Sequence, residues 1–264
     1  MLTTMNLLMV HGNGGTGTRF QIFRDLVADR GPEELRLHLP ELPGFDGRPL
    51  PAWERPGWEP FLAALSDGVQ TRPEEPWVFY GHGIGGSLLL EWASRDWESA
   101  RGRRVRPGRV ILHGSIGASL EHRWFPKLMR PPFVRSLVQW LIVQPGLQRS
   151  WERKLFTNPG GIPADLRHRF FTDYRSCAAF PVFFDLITPD WYRQVQEQTR
   201  SYPFYFLWGD QERVVASRHL DFWRRDFPAA TFEVVGGWDH FPMLDQPEAF
   251  YHKILELTEG VVYE

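Results

Sequence analysis

Short apolar runs that end in turn residues alternate with helical stretches along most of this chain, and that alternation limits the fold more than any other feature. Leu7–Val10 closes on a glycine-rich turn, and Phe20–Arg30 then carries Phe20, Phe23, Leu26 and Val27 at helical spacing. The rhythm continues with Leu35–Leu39 as a strand, Trp58–Val69 as a helix and Trp77–Tyr80 as a strand. A turn over Gly81–Gly86 leads into a helix over Ser87–Trp97, and Arg109–Leu112 is the next strand. Phe204–Trp208, Leu220–Phe227, Thr231–Val235 and Glu248–Leu257 then read as strand, helix, strand, helix. This order predicts βαβ units with right-handed crossovers: an α/β fold with a mostly parallel sheet and helices on both faces.

The interval 116–200 breaks the rhythm. It is helical in pattern and interrupted by Pro126, Pro131, Pro132, Pro145, Pro163 and Pro181. Inserted between two strands of a parallel sheet, it is expected to form a helical lid over the strands' C-terminal edge, where ligands of such sheets bind. The expected organisation is a core of residues 1–115 and 201–264 with a cap of residues 116–200. The cap holds twelve basic and seven acidic residues, so the remainder is acidic although the whole chain carries only −2. Arg123, Lys127, Arg130 and Arg135 read either as an attractor for an anionic substrate or as a solvated helix face.

Composition narrows the functional classes. A single cysteine, Cys177, excludes an intramolecular disulfide and a multi-thiolate zinc site. Near-neutral charge gives no reason to expect nucleic acid or a membrane surface as partner. Residues 1–6 carry no basic residue and the first apolar stretch stops at His11, unlike a secretion signal. The apolar run around Leu137–Val143 is too short to span a bilayer, so a cytoplasmic protein with a small-molecule substrate is expected.

Three loop motifs carry chemistry. His11-Gly12-Asn13-Gly14-Gly15 follows the first strand, and its glycines let the backbone turn N–H groups into a cleft, as an oxyanion hole requires. Gly81-His82-Gly83-Ile84-Gly85-Gly86, between a strand and a helix, has the glycine spacing of a nucleophile elbow. Trp208-Gly209-Asp210 and Gly237-Trp238-Asp239-His240 each follow a strand near the C-terminus, offering an acid to orient a histidine base.

Together, and in this order from Asn6 to about Leu257, these motifs resemble the α/β-hydrolase superfamily, in particular its compact, lidded esterase, lactonase and carbon–carbon hydrolase members. The Leu42-Pro43-Gly44-Phe45 loop, Val214-Val215 after Asp210, and Phe241-Pro242-Met243-Leu244-Asp245-Gln246-Pro247 after His240 add to the likeness. The resemblance implies a small carbonyl substrate (ester, lactone or diketone-like), His240 as base, Asp210 as its acid, and the backbone N–H groups of Asn13 and Ile84 as the oxyanion hole. Asp239 is the alternative acid. Extra strands that the family usually places before the first glycine turn are missing here.

The departure that matters is Gly83, which stands where the Gly-x-Ser-x-Gly pattern has its nucleophile. Glycine has no atom that attacks a carbonyl, although it suits the backbone the elbow demands. Ser115, after a neighbouring strand, is the candidate replacement; Ser87 should lie further down the helix. His82, His113 and His11 read as structural. Four explanations compete: a His–Asp dyad activating water, the same dyad moving a proton as in a lyase or isomerase, a non-catalytic binding protein, and an engineered serine-to-glycine hydrolase. No His, Cys or carboxylate cluster has metal-ligand spacing and no phosphate-binding glycine loop is convincing, so no cofactor is expected.

Overall fold

The computed structural model describes residues 4–52, 54–69, 75–99 and 102–261. Six strands among them, β1 (Met5–Val10), β2 (Leu35–His38), β3 (Trp77–His82), β4 (Arg109–His113), β5 (Tyr205–Gly209) and β6 (Thr231–Val235), form one sheet in the order β2-β1-β3-β4-β5-β6. Every pairing is parallel.

Alternation along β3 shows how the layers are built. Phe79 stacks on Trp92 of helix α3 (Ile84–Ser94), with ring centroids 5.3 Å apart. Its neighbour Tyr80 points to the other face, 5.7 Å from Phe250 of the C-terminal helix Pro247–Thr258. Successive strand residues face opposite sides, so one strand serves two helical layers. Helix α1 (Gln21–Arg30) packs beside the C-terminal helix, with Phe23 5.5 Å from Phe250. Helix α2 (Glu59–Val69) packs beside α3 on the opposite side.

Between β4 and β5 lie α4 (Trp124–Leu128), α5 (Pro132–Ile142), α6 (Pro145–Leu155), α7 (Ala164–Arg175), α8 (Phe183–Leu186) and α9 (Pro189–Thr199). The middle of this insertion packs on the segment that follows β6. Phe156 and Phe170 pack on Phe241 at 5.6 and 5.0 Å, and Asp245 accepts hydrogen bonds from the N–H groups of Thr157 and Asn158. Helix α9, although inside the interval 116–200, packs beside α3, where Trp191 donates to Glu91 at 2.8 Å. Downstream are α10 (Leu220–Asp226), the short turn α11 (Pro242–Asp245) and α12, the C-terminal helix already introduced.

Strand order fixes the location of a site. The chain leaves β1 for β2 on one side and reaches β3 on the other. The turns after β1 and β3 therefore diverge, opening the crevice where parallel α/β sheets bind ligands.

Candidate active site

Register brings the first two motifs together. Val10 pairs with Gly81 and His82 with His113, so the turns after β1, β3 and β4 emerge side by side. Gly83 adopts φ 56° and ψ −116°, a sharp turn that only glycine enters without strain, and α3 begins at the next residue. The helix thus starts three residues before the expected Ser87. Gly85 and Gly86 lie inside it, and both positions require glycine, because a Cβ there would collide with the Val10 carbonyl or the Ser115 hydroxyl. A Cβ built at Gly83 itself would meet, beyond its chain neighbours, only Gly12 Cα, at an ordinary 3.5 Å. The elbow geometry is present, and it adjoins the glycine loop.

That loop is held from the insertion. Asn13 Nδ2 donates to the Phe180 carbonyl at 3.0 Å, and the ring of Tyr174 lies against Gly14, whose φ is 69°. Buried Arg19 donates to the carbonyls of Gly14 and Phe170 and pairs with Asp173 at 3.4 Å. The backbone N–H of Asn13 has no acceptor among the described residues. Ile84 is the first residue of α3, and an N–H in the first turn lacks an intrahelical acceptor. Two donors are thus available beside Gly83.

The charged centre differs from the expected one. His240 Nδ1 lies 2.7 Å from Glu212 Oε2, and Glu212 Oε1 accepts from the N–H groups of Val214 and Val215 at 2.7 and 2.9 Å. The Glu212 side chain is fully buried. Burial opposes its ionisation, but the neighbouring imidazole and the two N–H groups outweigh burial and hold its carboxyl below the ordinary carboxylate range. Asp210, two residues earlier, is exposed and accepts instead from the Gly237 N–H at 2.7 Å, closing a turn between loops. Asp239 is also engaged elsewhere: its carboxylate accepts from the side chain and N–H of Arg213 and from the N–H of His240. The carboxylate on the imidazole is therefore Glu212, a residue that sequence reasoning passed over. Its signal was a second acid in the same loop, placed two and three residues before a pair of N–H groups that bind it.

His240 is fixed on three sides. Its carbonyl accepts from His82 Nε2 at 2.8 Å, its N–H donates to Asp239, and its Nδ1 meets Glu212. His240 Nε2 makes no hydrogen bond among the described residues. His82 is buried; desolvation and the adjacent His240 and His113 lower its pKa far below the usual imidazole value, so it stays neutral. His113, also buried, falls to about 3, and His11 to about 4, both chiefly through desolvation. Gly114, at φ 52°, carries the dyad directly above it: a Cβ there would lie 3.2 Å from the imidazole and 3.3 Å from the Glu212 carboxylate. Because Gly83 N–H donates to the His113 carbonyl at 2.9 Å, dyad and elbow are neighbours across the end of β4.

Ser115 does not face this space. Its hydroxyl is fully buried against Gly86 and has no hydrogen-bond partner among the described residues. Ser87 donates to the Ile116 carbonyl at 2.6 Å, away from the elbow. Among the described residues, no group of three or more His, Cys, Asp or Glu side chains is placed to hold a metal ion.

Comparison with known proteins agrees with this architecture. The model of a family described as "Alpha/beta hydrolase family" matches residues 7–253. Solved structures of similar fold include a carboxylesterase of Nitrososphaera gargenis (17% identity, TM-score 0.68, covering 96% of this chain and 89% of that one). A bromoperoxidase of Bacillus anthracis (14%, 0.70, 96% and 91%) and MenH of S. aureus (15%, 0.68, 97% and 94%) are also similar. A search of curated proteins found no match.

Proposed function

The chain belongs to the α/β-hydrolase family, and on that premise we propose that it is an esterase-like hydrolase of small carbonyl substrates that uses water where the Gly-x-Ser-x-Gly pattern has a serine hydroxyl. The observation that carries this reading is the buried Glu212–His240 pair at 2.7 Å, held by the N–H groups of Val214 and Val215 with His240 Nε2 left open, beside an elbow that has no nucleophile. A buried carboxylate of this kind is costly unless it is paired, and here it fixes the tautomer that leaves Nε2 as a base.

In this reading the carbonyl oxygen of the substrate accepts from the N–H groups of Asn13 and Ile84. A water beside Gly83 gives a proton to His240 Nε2 as its oxygen bonds to the carbonyl carbon. Collapse of the tetrahedral species breaks the bond to the leaving oxygen, which takes the proton back from His240, giving acid and alcohol. General-base catalysis of this type supplies about 10²–10⁴-fold, and each oxyanion donor about 10²–10³-fold. The insertion acts as a lid that positions the oxyanion loop through Phe180 and Tyr174, and through Asp173 and the Phe170 carbonyl, which hold Arg19 against Gly14.

A second reading has one observation in its favour. The space at Gly83 is open, since a Cβ there would meet only Gly12 Cα at an ordinary 3.5 Å, as in a hydrolase from which the serine has been replaced. Hydrolysis of a panel of p-nitrophenyl esters by the native chain, His240→Ala and Gly83→Ser separates the two. Turnover by the native chain that disappears in His240→Ala supports the water mechanism. A native chain with no turnover, next to an active Gly83→Ser, overturns it in favour of the disabled hydrolase.

A further inference from the structure

Helix α5 is apolar on two sides: Val134, Val138 and Ile142 pack against the core, and a second apolar stripe faces solvent. Its protein-facing side holds Arg135, buried and paired with Asp185 at 2.7 Å, and Gln139, which donates to the carbonyls of Tyr174 and Cys177. Its solvent side presents Phe133, Leu137 and Trp140, spaced i, i+4, i+7, with Phe133 73% and Trp140 56% exposed. The short helix α4 just before it buries nothing and adds Trp124, 73% exposed, and Leu128. Single exposed apolar residues are ordinary; five large ones within Trp124–Trp140, three of them on one helix stripe, point to an interaction surface.

Charge identifies the partner. From His122 to Trp151 the chain has no Asp or Glu, but it has five Lys or Arg residues. Of these, Lys127, Arg130 and Arg149 are exposed and form no ion pair among the described residues. The expectation of a cationic cluster thus changes form: Arg135 turns inward, Arg123 donates to the Val214 carbonyl, and Lys127 and Arg130 stay exposed in the segment between Trp124 and Phe133. Aromatic residues flanked by unpaired cations suit the headgroup region of an anionic bilayer. A symmetric pairing of two copies through this face would instead bring like charges together.

We propose that α4 and α5 form a docking surface for anionic lipid bilayers, with Trp124, Phe133, Leu137 and Trp140 entering the interface and Lys127 and Arg130 meeting the headgroups. This departs from the expectation of no membrane partner, which rested on a net charge that averages an acidic body with a basic insertion. No helix among the described residues is long and apolar enough to cross a membrane, so the contact is peripheral.

The test is co-sedimentation of the full chain with vesicles of phosphatidylcholine, with and without 30% phosphatidylglycerol, alongside sedimentation velocity of the free protein. Binding to the anionic vesicles should be at least fivefold tighter than to neutral ones. Lys127→Gln with Arg130→Gln should weaken it about 25-fold, at roughly fivefold per cation. Phe133→Ser with Trp140→Ser should weaken it at least tenfold with the charges intact, and circular dichroism confirms folding of both double variants. No preference for anionic vesicles, or binding indifferent to Phe133→Ser with Trp140→Ser, overturns the proposal. So does a dimer in solution that those apolar substitutions dissociate, which would make the face a contact between copies.

Discussion

Replacing Glu212 by Gln is the most direct probe of how the site is organised. The substitution preserves shape and leaves one oxygen for the N–H groups of Val214 and Val215, now bound at 2.7 and 2.9 Å. It places an amide, in place of an anionic acceptor, against His240 Nδ1 at 2.7 Å. A hydrogen bond to a charged group contributes roughly 1.5–3 kcal/mol net, or about 10- to 150-fold in rate if all of it positions the base. Stabilisation of the imidazolium formed during proton transfer is lost as well, so kcat should fall by about 10²–10⁴. KM should change by no more than about twofold, because Glu212 is buried beneath the imidazole and the fall is in a term specific to the transition state. Asp210→Asn, which disturbs only an exposed turn, should change kcat by less than about threefold. Steady-state rates on the best p-nitrophenyl ester, with thermal melts to confirm folding, make the comparison. Near-native kcat for Glu212→Gln together with collapse of Asp210→Asn would refute the assignment of the acid.

Two further outcomes follow from the same geometry. Gly14→Ala puts a Cβ inside the Tyr174 ring at a backbone angle that disfavours it, so stability should drop by about 2–4 kcal/mol in urea melts, with at most partial recovery in the Gly14→Ala/Tyr174→Ala double variant. The Glu212 carboxyl is held below its ordinary value of 4.5 by His240 and two N–H groups. Its contribution to stability is therefore complete above that value and is lost as pH falls through the lower folded value. The difference in unfolding free energy between native chain and Glu212→Gln should be largest above pH 4.5 and shrink as pH falls below it, and a constant difference would contradict the ionised, buried carboxylate.

The layers of the fold were legible because strands and helices here write opposite periodicities. Thr231–Val235 reads identically in sequence and structure, and most other boundaries differ by one or two residues. The start of α3 was not legible, since four glycines in the six residues Gly81–Gly86 read as a turn, whereas Gly85 and Gly86 lie in the helix and are glycine because Val10 and Ser115 pack against them. Choosing between Asp210 and Glu212 depends on how one loop folds back on itself. Both acids follow the same strand, and only the capping N–H groups of Val214 and Val215 turn one of them inward. Helix α5 misleads for a different reason: an apolar stripe at period 3.6 signals a face to be covered, and sequence does not say whether the cover is the protein's own core.

The bare backbone at Gly83 also changes how such a site would keep account of its substrate. A hydrolase with a side chain there can hold half of the substrate covalently after the other half has left, then pass it to whichever acceptor arrives. With only hydrogen on the Gly83 Cα there is no such store. In the proposed mechanism hydrolysis is then a single displacement, in which water must already be present before the alcohol departs. Added alcohols then have no stored acyl group to intercept, no burst precedes the steady state, and fluorophosphonate reagents find nothing at the elbow to label.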